Sequence, residues 1–292
     1  MQLLLFGCAF ISAHARPWMN KADPPATRAQ KLVANMDLEA KLNLFHGSCK
    51  GYTGNVCGNN EYGIPTIKME DGPQGFRGID GTSTAWPSGL TIGATFDEVA
   101  AQTWGSTMGV EFYNKGANVQ LGPGLCLARV PRNGRNFEYI SGEDPYLGYT
   151  MVGPVIRGIQ SSGVIANAKH WVNNNQETNR HGVVEDVDER TQFEMYYPPF
   201  QGAVDNGVGS IMCSYNKVLF PTPSRHALCA HAQVIFLHRP ISVFVCADPT
   251  RRFWRREVEL REPRDAAARP QRPHGLQGMG HERLGGHPLH EH

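Results

Sequence analysis

The chain has 292 residues, 40% of them hydrophobic and 19% charged, with a formal net charge of +1. That apolar share suits one large domain or two small ones and is too high for a charged, unfolded tail protein. A near-neutral balance gives no basis for a nucleic-acid partner. No apolar run approaches the roughly 20 residues that a membrane-spanning helix needs, so no membrane partner is expected either.

Residues 1–15 (MQLLLFGCAFISAHA) hold an apolar stretch from Leu3 to Ala13 and end in the small-x-small triplet Ala13-His14-Ala15. This is the pattern of a secretory signal peptide, although the usual positive charge near its start is missing. Secretion is therefore expected, and Cys8 would leave with the signal. The six cysteines that remain are Cys49, Cys57, Cys126, Cys213, Cys229 and Cys246. An even count in a secreted chain permits disulfides. Cys49 and Cys57 bracket a Gly/Asn-rich loop, CKGYTGNVC, and are the natural local pair. They lack the second Cys/His pair at a metal-ligand interval that a zinc site needs.

Residues 27–46 carry Leu32, Met36, Leu38, Leu42 and Phe45 at roughly helical spacing. Asp37 could cap a second helix there, so one bent helix or two short ones fit the pattern. Residues 65–70 (PTIKME) predict a strand running into the Gly/Pro loop DGPQGFRG. Asp97 opens a helix through Lys115, which Gly116 closes, and residues 117–121 (ANVQL) predict a short strand feeding GPGL. Residues 145–162 read as helical apart from Pro154, and 164–169 (VIANAK) as the next strand. Residues 188–205 carry a helical pattern interrupted at Pro198-Pro199, and 208–213 (VGSIMC) return to strand. Strands separated by helices predict a parallel sheet covered by helices, either a doubly wound sheet or a (β/α)8 barrel.

In such α/β architectures reactive groups gather where strands end. Those places hold Asp71 and Gly72; then Arg129, Arg132 and Arg135; then Lys169, His170 and Trp171, with Asn173, Asn174, Asn175 and Arg180 behind them; and finally Ser214, Tyr215 and Asn216. Charged and amide groups beside aromatic faces suit a ligand covered in hydroxyls. Each residue also has a plainer reading: Asp-Gly is a common turn pair, Lys169-His170 could cap a strand end, and GRNFE could be a structural ion pair. Other signals fail. There is no G-x-S-x-G, no G-x-x-x-x-G-K-[ST] and no H-E-x-x-H. Asp186, Asp188 and Glu189 lack the glycine and terminal Glu of a calcium loop. No metal or organic cofactor is expected.

Several stretches resemble glycoside hydrolase family 3, and most closely its fungal-type β-glucosidases: GIPTIKMEDGPQGFRG, WPSGLTIGATFD, KGANVQLGPGL, ARVPRNGRNFEYISGEDPYLGY, GVIANAKHWVNNNQET, VDERTQFEMYYPPFQGAV and GSIMCSYNK. They lie in family order within residues 18–218. The resemblance implies an incomplete (β/α)8 TIM-like barrel and a β-glucoside or oligosaccharide substrate. It also implies that Asp71, Arg135, Lys169, His170 and Arg180 bind one glucosyl unit, with Met212 and Tyr215 lining the same subsite. Family members retain anomeric configuration through an Asp nucleophile and a Glu acid/base. A β-xylosidase specificity, or a sugar-binding protein without catalysis, is the alternative.

The chain departs from the family after residue 218. The family's nucleophile sits in a Ser-Asp-Trp motif that occurs nowhere in this sequence, so no catalytic residue is assigned and the chain as written is expected to be inactive. All eight lysines lie at or before Lys217, whereas 11 of the 20 arginines and eight of the 12 histidines lie after it. Shifting GLQGMGHERLGGHPLHEH by one nucleotide permits GFKGWVMSDWGATHSM, the family's nucleophile wording. Residues 219–292 are therefore expected to be an irregular, out-of-frame tail, the rival being a basic tail that touches nucleic acid or membrane.

Overall fold

The computed structural model describes residues 16–45, 47, 49–78 and 81–219, together with the strand Val234–Phe236. The chain divides into two compact units, Met1–Trp254 and Arg255–His292. The second unit lies outside the described residues, as do the expected signal at 1–15 with Cys8, Cys229 and Cys246, and the expected tail apart from Leu219 and that one strand.

The helices are α1 (Pro25–Asn35), α2 (Leu38–Asn43), α3 (Gly89–Gly93), α4 (Glu98–Asn114), α5 (Pro145–Ser161), α6 (Glu189–Thr191) and α7 (Pro198–Asp205). The strands are β1 (Gly54–Val56), β2 (Ile67–Asp71), β3 (Val119–Leu121), β4 (Ile165–Trp171), β5 (Val184–Asp186), β6 (Ser210–Cys213), β7 (Lys217–Leu219) and β8 (Val234–Phe236). Residues 27–46 resolve into two helices because the Asp37 carboxylate accepts from the Ala40 N–H at 2.7 Å and starts α2. Asp97 and Asp144 cap α4 and α5 in the same way. The expected break at Pro198-Pro199 is instead the start of α7, where proline's fixed φ and missing N–H cost nothing. A π-helical turn, Gln192–Tyr196, joins it to α6.

Six strands form one sheet in the order β1-β2-β3-β4-β6-β8. Strands β2, β3, β4 and β6 run parallel, with β1 and β8 antiparallel on the flanks. Parallel neighbours need crossovers, and α4, α5 and α7 supply them. Strand β4 is buried along residues 166–170 and so shows no polar alternation. Strands β5 and β7 pair separately.

The two faces of the sheet differ. One carries Ala166, Ala168 and Ile211 against Met108, Phe112, Val152, Val155, Ile156 and Phe200 of the helices. The other carries Met69, Val119 and Leu121 beside Ile67, Ile165 and Met212, with Leu44 covering part of it. Crossover helices on one face only are the arrangement of an open (β/α) barrel rather than a doubly wound sheet, and four parallel strands make half of it. Among the described residues no helix is long and apolar enough to cross a membrane. Cys49 and Cys57 form a disulfide with their Cα atoms 5.2 Å apart.

Helices α4 and α5 approach closely enough to need glycine. A Cβ on Gly158 would stand 2.4 Å from the Gln102 carbonyl oxygen, and one on Gly105 would stand 2.5 Å from that of Val155. Gly158→Ala is therefore expected to separate the helices and destabilise the fold by ~1–3 kcal/mol. A urea midpoint equal to that of the unsubstituted chain would contradict this packing.

Candidate functional site

Every parallel strand delivers polar groups at its carboxyl end. Strand β2 ends on Asp71, β4 carries Lys169 and His170, and Tyr215 follows β6. Arg135 sits in the loop after β3, and Arg180 in the turns after β4. One ion pair spans the strand ends: Lys169 Nζ lies 3.5 Å from Asp71 Oδ1, across 98 residues of sequence. Lys169 is 2% exposed, whereas the Asp71 side chain is 36% exposed. Burial pulls the Lys169 pKa down, while Asp71 and then Glu138 hold it up. An ammonium has three hydrogens to donate, and among the described residues Asp71 alone accepts one.

The neighbouring Glu70 is a structural group by comparison. Its buried carboxylate accepts from the Thr53 hydroxyl, the Thr53 N–H and the Asp71 N–H. This leaves Asp71 as the strand-end carboxylate with free acceptor capacity.

Around this pair lies a second charged group. The Arg135 guanidinium pairs with buried Glu138, the i,i+3 ion pair that GRNFE permits, and lies 3.6 Å from Glu177. Glu177 also accepts from Arg180 at 2.8 Å, and so ties the two arginines together. The Arg180 guanidinium stands 4.4 Å from the Tyr215 ring centroid, and the His181 ring is also 4.4 Å from it. His170 is 4% exposed, with Nδ1 3.2 Å from the Tyr139 oxygen. Burial, then the charges of Lys169, Arg135 and Arg180, push the His170 pKa well below 6.5 and keep the ring neutral.

The structure thus gathers Asp71 with Lys169, and Arg135 with Arg180 and Tyr215. Met212 is aligned with Lys169 across β4 and β6 but packs on the apolar layer of the sheet. Arg129 and Arg132 are exposed and join no ion pair among the described residues. Trp171 stacks on Tyr197, 4.9 Å between centroids, on the helix side of the sheet. The residues not anticipated from sequence are Glu177, Tyr139 and the buried amides Asn133 and Gln192, which hold the anticipated Asn174 and Asn173. A hollow of about 220 Å³ lies in the loop after Asp71, lined by Gln74, Phe76, Arg77, Ser83, Thr84 and Trp86. Among the described residues no three His, Cys, Asp or Glu side chains converge as a metal site.

The family model for the N-terminal domain of glycosyl hydrolase family 3 matches residues 49–228. The chain belongs to this family. It is 40% identical over 214 residues to the probable β-glucosidase F of Neosartorya fischeri, covering 69% of this chain and 24% of that protein. It is 42% identical over 224 residues to the probable β-glucosidase A of Emericella nidulans, covering 69% and 25%. Among solved structures, it resembles a β-glucosidase from Streptomyces venezuelae in complex with D-glucose, with a TM-score of 0.63, 36% identity and coverage of 65% and 25%. A β-D-glucoside glucohydrolase from Trichoderma reesei gives a TM-score of 0.61 at 36% identity, covering 66% and 27%. The family resolves the fold as part of a TIM-like barrel. The chain spans about a quarter of the length of these relatives.

The neutral His170 fixes a pH dependence. Its folded pKa lies below the unfolded value of 6.5, so below that pH the unfolded chain binds a proton that the folded chain refuses. Stability from this site is whole above pH 6.5 and is lost as pH falls, by up to about 1.4 kcal/mol per pH unit. Urea unfolding of the chain and of His170→Asn across this range is expected to show a steeper acid loss in the former. Identical slopes would contradict the assignment.

Proposed function

We propose that this barrel segment forms the glucosyl-binding part of a secreted, retaining β-glucoside hydrolase. The observation that carries the reading is the half-satisfied Asp71–Lys169 pair at the carboxyl ends of β2 and β4. A carboxylate that accepts and a buried ammonium that donates can hold adjacent hydroxyls of one pyranose through charge-assisted hydrogen bonds. Arg135 and Arg180, tied by Glu177, add oriented donors at the next strand end. A relative in this family is described in complex with D-glucose, which supports a glucoside over a xyloside. The Cys49–Cys57 disulfide favours an oxidising, extracellular location.

In the retaining mechanism an Asp forms a glycosyl-enzyme and a Glu protonates the leaving group, then activates water. The residues described here bind and orient the sugar for that chemistry. With no Ser-Asp-Trp motif in the sequence, the 292-residue chain is expected to leave an aryl β-glucoside uncleaved. Turnover by the purified chain would overturn that.

Calorimetry tests the binding role. Glucose or gluconolactone is expected to give saturable heat, with affinity about tenfold or more weaker in Asp71→Asn, as for loss of a hydrogen bond to a charged group. No heat from a folded chain, or equal affinity in the variant, would remove the proposal.

A further inference from the structure

The imidazole of His170 has its proton placed by the groups behind it. Tyr139 is fully buried, and its oxygen lies 3.0 Å from Asn174 Nδ2 and 3.2 Å from His170 Nδ1. An amide NH2 group donates and cannot accept, so the phenol oxygen accepts from Asn174. Burial pushes the Tyr139 pKa far up, and the phenol therefore keeps its single hydrogen. The Cys126 thiol is also at the phenol, but burial holds it protonated, up to about 11, and it points its own hydrogen at the His170 carbonyl at 3.4 Å. Two acceptors remain within reach of the Tyr139 hydrogen, the weakly accepting Cys126 sulfur and the imidazole nitrogen, and the stronger acceptor, Nδ1, takes it. A neutral imidazole that accepts at Nδ1 carries its hydrogen on Nε2.

We propose that Tyr139 is a positioning residue that holds His170 as its Nε2–H tautomer, so that the ring offers the bound sugar a fixed N–H donor. The identity of the acceptor rests on the sugar-binding reading; the tautomer assignment does not. Nε2 has no hydrogen-bond partner among the described residues and is not one of the sealed polar atoms left without one, so it is the edge left to a ligand.

The surrounding packing supports a relay of fixed direction. Gly124 forms parallel bridges with both Tyr139 and Lys169, holding the two segments in line. A Cβ on Gly124 would stand 2.7 Å from the Glu138 carbonyl and 2.8 Å from the Tyr139 ring, so only glycine allows that approach. The Tyr139 and His170 rings meet edge to face, 6.0 Å apart at 83°. The Asn174 carbonyl accepts from Asn133 at 3.0 Å, and Asn173 exchanges hydrogen bonds with Gln192 at 2.8 and 3.3 Å. These bonds hold the backbone of Asn174 and its neighbour; the Asn174 side chain itself is held at Nδ2 by Tyr139, its buried Oδ1 having no hydrogen-bond partner among the described residues.

Long-range proton–nitrogen NMR of the full chain labelled at histidine tests the proposal, with His170 identified by the signal missing in His170→Asn. The expected spectrum shows one neutral tautomer protonated at Nε2. Tyr139→Phe is expected to mix the tautomers and weaken glucose binding about fivefold, the scale of one neutral hydrogen bond. Asn174→Asp turns the relay's first donor into an acceptor, so His170 is expected to switch to Nδ1–H. A wild-type Nδ1–H signal overturns the proposal, as does an Nε2–H signal unchanged in both folded variants. An Nε2–H signal that glucose does not move supports the tautomer assignment and overturns the sugar-binding reading instead.

Discussion

The arrangement at the strand ends depends on one buried charge. Lys169 carries an ammonium at 2% exposure, and stripping such an ion of water costs several kcal/mol unless partners replace the water. The only partner among the described residues is one oxygen of Asp71 at 3.5 Å, the long limit of a hydrogen bond. Core packing alone would favour an apolar residue at that point of β4. A lysine with unused donors faces a carboxylate with an unused oxygen, and in the proposed function a hydroxylated ligand completes both. The parallel strands make this possible by bringing residues 98 apart in sequence to the same edge of the sheet, at the ends of β2 and β4 with β3 between them.

That charge sets conditions on its surroundings. Three cations, Lys169, Arg135 and Arg180, act on His170, and the carboxylates of Asp71, Glu138 and Glu177 pair with them. A protonated imidazole would add a fourth positive charge in a buried space, so His170 serves as a neutral donor or acceptor. Its hydrogen-bond direction then has to come from its neighbours, which is the part given to Tyr139 and Asn174. Glu177 has a parallel role for the arginines, since a single carboxylate fixes the separation of two guanidinium groups and so the spacing of their donors.

Much of this was legible in the sequence. Helical periodicity with Asp37, Asp97 and Gly116 marked helix ends, and apolar runs marked β2, β3, β4 and β6. Pattern could not choose between barrel and doubly wound sheet, because that choice depends on which sheet face the crossover helices cover, and both faces of β4 are buried. Short elements escaped: β1, β5 and β7 have three residues each, too few to display alternation, and their pairing comes from tertiary contacts. The Pro198-Pro199 pair was legible as punctuation but not as a helix start, which needs the preceding π-helical turn to be known. Of the site, the strand-end residues Asp71, Lys169 and His170 stood out by position. Tyr139 and Glu177 did not, since a tyrosine between Glu138 and Ile140 and a glutamate in a polar loop carry no signal until the fold brings them to His170 and the arginines.

The most direct test is a crystal structure of the chain with gluconolactone or glucose. Sugar density is expected at the carboxyl ends of β2 and β4, with ring hydroxyls within hydrogen-bond distance of Asp71 and Lys169 Nζ and the Asp71–Lys169 pair otherwise unmoved. Sugar bound elsewhere, or an Asp71–Lys169 site that stays empty at saturating ligand while the fold is intact, would contradict the reading of that pair as the sugar-binding centre.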